Sequence, residues 1–338
     1  MKSALEIRRG ILFGLLAIVV VVLFAFDLAS GSVGVGGREV WALLTGGPCD
    51  PMARDIILKI RLIKAVVAVL AGFSLAASGL LMQTLFRNPL AGPFVLGISS
   101  GASLGVALFL LGAPLLGIAG HSLQASVGTA GAAWIGSALI LLLIMAVSRR
   151  IKDIMVILIL GMMFGSAVGA LVEILQYMSN EAALKSFVVW TMGSLGDVTI
   201  PQLTLLVPGV AVGTGLTFAV LKPLNLLLLG ERYARTMGLN VGRTRTLIFL
   251  ATTLLSGTVT AFCGPIGFVG LAVPHLARML FASADHRVLM PASMLLGAAM
   301  LLVCDLCSKQ LALPVNTLTA LMGIPIVVWV VVHNKNIV

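Results

Sequence analysis

Charge is scarce in this sequence. Only 10% of its 338 residues are Asp, Glu, Lys or Arg, whereas 59% are hydrophobic. A soluble domain carries about 25% charged residues, so this chain has too little polar surface to cover a fold in water. Its repeated apolar runs have the length that crosses a lipid bilayer. The net charge of +10 is spread between those runs, which favours membrane-surface contact and argues against nucleic-acid binding.

Cysteine chemistry is missing as well. The four cysteines are Cys49, Cys263, Cys304 and Cys307. The last two have CxxC spacing, but they lie in an apolar run with no second pair and no histidine nearby. Helix packing explains them better than metal or redox chemistry. We predict no disulfide framework, no metal site and no cofactor bound by this chain.

The sequence also lacks an energy-supplying motif. No lysine follows a glycine, so the phosphate-binding pattern GxxxxGK[ST] cannot occur. Glu173 and Asp305 lie near the ends of apolar runs, whereas ion-driven carriers use carboxylates or broken helices at mid-depth. We therefore predict a non-enzymatic conduit that takes its energy from another subunit.

Ten apolar segments predict an all-α polytopic membrane protein with about ten transmembrane helices in one domain, residues 1–338. Roughly two thirds of the 22 Lys and Arg residues fall on one side of this topology. By the positive-inside rule that side is the cytoplasm, and it includes both termini. The predicted spans cover residues 11–26, 60–85, 93–111, 125–147, 154–175, 202–221, 246–263, 264–280, 288–307 and 313–332.

The segment between the sixth and seventh spans is the longest polar stretch in the second half of the chain. This joint (residues 222–245) carries Lys222, Arg232, Arg235, Arg243 and Arg245, with Glu231 as its only acid. Its charge predicts a cytoplasmic location. In a chain with no nucleotide-binding motif, we predict that an energy-supplying partner attaches here.

Glycines recur at every fourth position on several predicted spans, which lets another helix approach closely. A path for a bulky solute is the other interpretation of such a face. The sets are Gly97, Gly101 and Gly105 on the third span and Gly161, Gly165 and Gly169 on the fifth.

A short internal similarity supports an alternative function. Residues 92–97 read GPFVLG and residues 264–270 read GPIGFVG, and they follow predicted spans of opposite direction. Inverted repeats are typical of ion-coupled secondary transporters. Uptake that continues after ATP depletion would favour that alternative.

Four segments resemble the permeases of ABC importers for iron–siderophores, haem and cobalamin. They are SG…Q…NPLAGP…LG…GA at residues 78–102, WTMGSL at 190–195, LGERYARTMG at 229–238 and GPIGFVGLAVPHLAR at 264–278. Together they cover nearly the whole chain in order. The motif positions are Asn88, Pro89, Gly97, Gly101, Gly267, Gly270, Pro274, His275 and Arg278.

The resemblance implies a cobalamin-importer-like permease in the cytoplasmic (inner) membrane that imports a metal chelate by alternating access. Its partners would be a second copy, two cytoplasmic ATPase subunits that hold Mg-ATP, and a periplasmic or lipid-anchored substrate-binding protein.

The resemblance also assigns roles to particular residues. It implies a path lined by the fifth and tenth spans, which would include Gly161, Gly165 and Gly169. It assigns binding-protein docking to Arg61 and Lys64 at the outer end of the second span and to Lys309 at the outer end of the ninth. For the basic cluster at the second span, membrane snorkelling of Lys59 and Lys64 is the other interpretation. The ATPase-coupling residues would be Leu229, Gly230, Glu231, Tyr233, Ala234, Arg235 and Gly238.

Overall fold

A computed structural model describes residues 2–31, 36–112, 125–151 and 153–333, and these are mainly helical. This confirms the all-α prediction. The first helices are α1 (Lys2–Ala29), α2 (Gly37–Thr45), α3 (Pro51–Leu85), α4 (Ile98–Gly112), α5 (Ala125–Arg150), α6 (Ile154–Met178) and α7 (Glu181–Thr191). The others are α8 (Ile200–Ala219), α9 (Leu221–Leu228), α10 (Glu231–Thr236), α11 (Val241–Cys263), α12 (Val269–Phe281), α13 (His286–Leu311) and α14 (Val315–His333).

Seven of the described helices are long and apolar enough to cross a bilayer, namely α1, α3, α5, α6, α8, α11 and α13. Shorter apolar segments in α4, α12 and α14 bring the set to the ten predicted. The start of α4 is later than predicted because Gly97 has a positive φ of 73°. Likewise, Phe268 has a φ of 64° immediately before α12. Left-handed residues of this kind interrupt a right-handed helix.

The segment before the second predicted span is more ordered than its glycine and proline content indicates. It contains α2, and α3 begins at Pro51 rather than near residue 60. Proline suits a first helical turn because its missing N–H is not needed there. A π-helical turn at Ile57–Arg61 lies within α3. The short surface helix anticipated between Gln176 and Asp197 is α7.

Three helices form the centre of the molecule. The apolar windows of α3, α11 and α13 are 72–78% buried, whereas those of α1 and α6 are 17% and 22% buried. On α3, Gly79 faces Gly270 of α12 and Gly72 faces Gly297 of α13. A Cβ atom on Gly270 would lie 2.8 Å from the carbonyl oxygen of Leu75. The backbones therefore touch where these helices cross.

The predicted glycine faces divide between packing and open surface. Gly101 and Gly105 of α4 lie against the backbone of α5. On α6, a Cβ atom at Gly161 would lie 2.7 Å from the carbonyl oxygen of Val95. One at Gly165 would lie 3.3 Å from Ser100 Oγ, and one at Gly169 would meet no atom within 4 Å. Gly161 and Gly165 of α6 are therefore closely packed, whereas Gly169 faces open space.

Candidate functional site

The joint folds as two short helices, α9 and α10. Gly230 separates them with a φ of 101°, a conformation that L side chains rarely adopt. Gly238 ends the second helix with a φ of 84°. Asn240 then caps α11, because its Oδ1 accepts a hydrogen bond from the backbone N–H of Arg243 at 3.0 Å. The sequence therefore fixes both turns of the joint.

Glu231 fastens α10 to the first turns of α11. Its carboxylate pairs with Arg245, whose side chain is 5% exposed. Arg235 lies 3.8 Å from the other carboxylate oxygen and is 54% exposed. The buried arginine makes the stronger connection, because an exposed pair at that distance contributes little. Glu231 is thus the ionic fastening between the joint and a transmembrane helix.

The joint also exposes large apolar side chains. Leu229, Tyr233 and Met237 are all more than 45% exposed, while Ala234 is buried against the core. Exposed apolar groups on an otherwise polar loop indicate a surface that a partner covers. Leu229, Tyr233 and Ala234 carry predicted coupling roles; Met237 was missed because nothing in its type distinguishes it from a packing residue.

Asn225 links α9 to the start of α13. Its Nδ2 donates to Asp285 Oδ1 at 2.7 Å, which orients the amide. Its Oδ1 then accepts from the backbone N–H of His286 at 2.9 Å and lies 2.7 Å from His286 Nδ1. Since a carbonyl oxygen only accepts, Nδ1 carries the hydrogen. His286 Nε2 lies 2.7 Å from Thr84 Oγ1 of α3.

Asp285 is ionised in this arrangement. The backbone N–H of Arg287 donates to its carboxylate at 2.9 Å and holds the pKa of Asp285 below its usual range. The carboxylate therefore caps α13 and accepts from Asn225 at neutral pH. This connection weakens only when the pH falls through the depressed pKa.

The family-like motif residues meet beside this link. Arg278 donates to Gln83 Oε1 at 2.6 Å, and Gln83 Nε2 donates to the carbonyl oxygen of Leu271 at 3.1 Å. His275 Nε2 lies 2.9 Å from the carbonyl oxygen of Pro89. These contacts join the end of α3 to α12.

The Asn225 and Arg278 contacts together form a polar junction below the joint (Gln83, Thr84, Asn225, His275, Arg278, Asp285 and His286). Sequence patterns indicate only part of it. Asn225 and Thr84 are single polar residues whose partners lie far away in the chain, and no local pattern predicts that they meet.

Other motif residues shape the backbone at both ends of the protein. Asn88 Oδ1 accepts from the N–H of Leu90 at 2.9 Å and closes the turn after α3. The N–H of Gly267 donates to Asn316 Oδ1 at 2.9 Å, near the opposite end of the protein. Pro274 lies inside α12 and is buried.

The three predicted docking cations belong to a different cluster at the end of the molecule opposite the joint. Lys309 Nζ lies 2.8 Å from Asp27 and 3.0 Å from Asp305, and Lys64 Nζ lies 3.0 Å from Asp305. Arg61 is 4% exposed and donates to the carbonyl oxygens of Leu28 and Ala29 at the end of α1. The residues of this outer ion cluster are Asp27, Arg61, Lys64, Asp305 and Lys309.

Docking by these cations stays a prediction, and the structure adds a condition to it. Asp27 and Asp305 are fully buried, and Lys309 is only 10% exposed. For Lys64 or Lys309 to meet an acidic partner, each must give up a contact with a buried carboxylate. Such an exchange is costly because it leaves the buried carboxylate without its counter-charge.

We expect Lys309→Met to lower the free energy of unfolding by about 3–5 kcal/mol, because it leaves two buried carboxylates with one nearby lysine. Lys59→Met is the matched control, since Lys59 pairs with Asp55 at 2.8 Å while both side chains are more than 60% exposed. That change should cost no more than about 1 kcal/mol. Thermal unfolding in detergent compares the two; equal losses would show that the outer ion cluster is not a structural fastening.

A hydroxyl-rich cavity of about 340 Å³ lies between α4, α6 and α7. Glu173, left without a definite role by the sequence, lines it together with Gln176 and Gly169. Its other polar lining residues are Ser99, Ser100, Ser103 and Thr191. The open end of the α6 glycine series therefore borders a polar space rather than another helix.

Comparison with known proteins identifies relatives over nearly the full length. The model of the FecCD transport family matches residues 18–333. The hemin transport system permease HmuU of Yersinia pestis is 36% identical, with 98% of each chain covered. The molybdate import system permease MolB of Haemophilus influenzae is 33% identical over 94% of this chain and 93% of its own.

A solved structure agrees with the fold. It is described as an inward-facing conformation of a transporter assigned to the metal-chelate type of ABC transporters. Its TM-score to this chain is 0.82 at 30% identity, and the match covers 96% of this chain and 99% of that one.

Ten apolar helices, several of them in backbone contact where they cross, carry a polar joint on one face, and this arrangement defines a membrane-spanning permease. The chain belongs to the FecCD transport family and is the non-catalytic transmembrane subunit of an ABC transporter. This membership supports the predicted class and not the alternative of an ion-coupled secondary transporter.

Proposed function

We propose that this permease imports a metal chelate (an iron–siderophore, haem or cobalamin) into the cytoplasm by alternating access, with energy from a partner ATPase. The observation that carries the proposal is the joint, which exposes Leu229 and Tyr233 and is fastened to the membrane helices through Glu231. A loop with these properties can receive a movement and pass it on.

The polar junction supplies the route for that movement. Asn225 connects α9 to α13, and Thr84 and Gln83 connect the same region to α3 and α12. Since α3 and α13 are largely buried, a displacement of α9 reaches the packed centre of the permease. Packed helices respond to such displacements by changing between discrete arrangements.

Two ATPase subunits would attach at the joint and hold Mg-ATP. This places the joint and both chain termini in the cytoplasm, as the positive-inside rule favours. The whole chain, residues 1–338, then acts as one transmembrane domain in the cytoplasmic membrane. Leu229, Gly230, Glu231, Tyr233, Ala234, Arg235 and Gly238 are the proposed contact segment.

A second copy of the chain would complete the path. On α6, Met155, Met162 and Ile174 are exposed, and on α14 Leu321 and Val328 are exposed. Two such faces brought together across a symmetry axis would enclose a channel. The cavity beside Glu173 and Gly169 would open towards it and offer hydroxyl groups to a polar cargo.

The cargo class rests on family membership. One relative is named for hemin and another for molybdate, so the cargoes named for relatives include both a bulky chelate and a small oxyanion. A solved structure that is 30% identical to this chain is described as metal-chelate type, which favours a chelate here. A periplasmic or lipid-anchored binding protein would select it and dock at the end that holds the outer ion cluster.

Reconstitution into liposomes with the partner ATPase and binding protein tests this function. We expect uptake of the cargo to require ATP on the side of the membrane that the joint faces. Uptake should persist when ionophores dissipate all ion gradients. Uptake driven by an ion gradient without ATP would refute it. A ligand screen on the binding protein would identify the cargo.

A further inference from the structure

A basic cavity of about 600 Å³ opens at the face of the protein that carries the joint. It lies between the end of α5 and the beginning of α11. Four arginines line it, namely Arg149, Arg235, Arg243 and Arg245. Glu231 is the acid that pairs with two of them. Within the described part of the chain, Arg149 and Arg243 form no ion pair, so the cavity carries a surplus of positive charge.

The basic cavity also has an apolar side, formed by Met145 of α5 and by Val241 and Leu247 of α11. Ser148, Gly242 and Thr246 complete its lining. The cavity lies where two membrane-spanning helices end, because the span of α5 finishes at Arg150 and that of α11 starts at Val241. At this depth a bilayer changes from acyl chains to headgroups. The cavity therefore offers arginines at headgroup level and apolar side chains next to the hydrocarbon.

We infer that the basic cavity binds an anionic phospholipid, with the phosphate held by Arg149 and Arg243 and the glycerol and first acyl carbons against Met145 and Leu247. Guanidinium groups match the geometry of phosphate oxygens. Basic pockets between transmembrane helices at a membrane surface recognise anionic headgroups. A soluble anion would use the arginines and gain nothing from the apolar side.

A protein partner fits this cavity less well. Arg235 is the one member of the proposed ATPase contact segment that lines it, and the exposed apolar residues Leu229 and Tyr233 do not. An acidic side chain of a partner would also leave Met145 and Leu247 facing water or an unfilled space. The bound lipid would instead touch the fastening of the joint, because Arg235 and Arg245 serve both the cavity and Glu231.

The experiment measures lipid binding to the purified, delipidated full-length chain in detergent. Phosphatidylglycerol should raise the melting temperature and bind at least tenfold more tightly than zwitterionic phosphatidylcholine. Each of the two arginines that hold the phosphate should contribute roughly fivefold in affinity. Arg149→Gln with Arg243→Gln should therefore weaken phosphatidylglycerol binding roughly 25-fold.

The matched control removes the same charge outside the basic cavity. Arg150→Gln with Arg232→Gln changes two exposed arginines that do not line it, and affinity should stay within about twofold. Equal losses in both double variants would overturn the site, because they would show general surface attraction. Inorganic phosphate that stabilises as strongly as the lipid would overturn the lipid assignment. If the double variant fails to fold, Arg149→Gln alone carries the test, with a loss of about fivefold expected and unchanged affinity refuting the site.

Discussion

Replacing Gly79 with alanine is expected to prevent the helices of the permease from packing into the native fold. A Cβ atom at this position would overlap the carbonyl oxygen of Gly270, which belongs to the backbone of α12 and cannot rotate away. Helix α3 cannot withdraw either, because Gly72 holds it against Gly297 of α13. The cost should exceed the roughly 1–3 kcal/mol typical of overpacking against side chains.

The same change should disrupt the polar junction. Gln83 lies one helical turn beyond Gly79 and reaches Leu271 and Arg278 of α12. Separating α3 from α12 would break both contacts and leave the half-buried Arg278 guanidinium without its acceptor. The loss of structure would thus reach the region that receives movement from the joint.

Gly131→Ala on α5 is the control for this prediction, since a Cβ atom there meets no atom within 4 Å. Yield and monodispersity on size-exclusion chromatography compare the two variants. The Gly79 variant should be absent or aggregated, and the Gly131 variant should resemble the wild type. A monodisperse Gly79→Ala protein with an unchanged melting temperature would contradict the backbone contact.

The second large effect concerns coupling at the joint. We expect Glu231→Gln to lower cargo transported per ATP hydrolysed by roughly tenfold, a change that corresponds to about 1.4 kcal/mol. The substitution removes the carboxylate that pairs with Arg245, a side chain only 5% exposed. This removes the carboxylate that neutralises a buried cation and loosens α10 from α11. ATP would then be hydrolysed without moving the membrane helices.

Arg232→Gln provides the matched control for coupling. Arg232 is the next residue on α10 and is exposed. Its removal changes the charge of the joint but not the fastening, so transport per ATP should stay near the wild-type value. Parallel measurements of uptake and hydrolysis in liposomes distinguish the two. Equal coupling in both variants would mean that Glu231 does not transmit the movement.

The number and order of the spans could be predicted from sequence because apolar length and basic flanks are local signals. Turn geometry could be predicted less well from the sequence. Gly97 and Phe268 shorten α4 and α12 through positive φ angles. No residue type in α3 predicts its π-helical turn. Helix α2 was not predicted because the glycines and prolines of its segment favour a loop.

Long-range contacts explain the rest of the difference. Lys64 and Lys309 were interpreted as exposed cations because the sequence does not show that Asp27 and Asp305 lie beside them. Arg61 was interpreted in the same way, although its guanidinium donates to carbonyl oxygens at the end of α1. Asp27 is separated from Lys309 by most of the chain, and Asn225 from His286 by 61 residues. The glycine series on α6 shows the same limit, because equal spacing does not distinguish the packed Gly161 from the open Gly169.

ATP hydrolysis by the complex of this permease, its ATPase and its binding protein tests the central claim most directly. The claim is that the joint connects an ATPase to the transport helices. If it is correct, cargo-loaded binding protein added at the face opposite the joint should stimulate hydrolysis severalfold in liposomes, and Glu231→Gln should abolish that stimulation while basal hydrolysis continues. Hydrolysis that does not respond to the loaded binding protein in the wild-type complex would contradict the account.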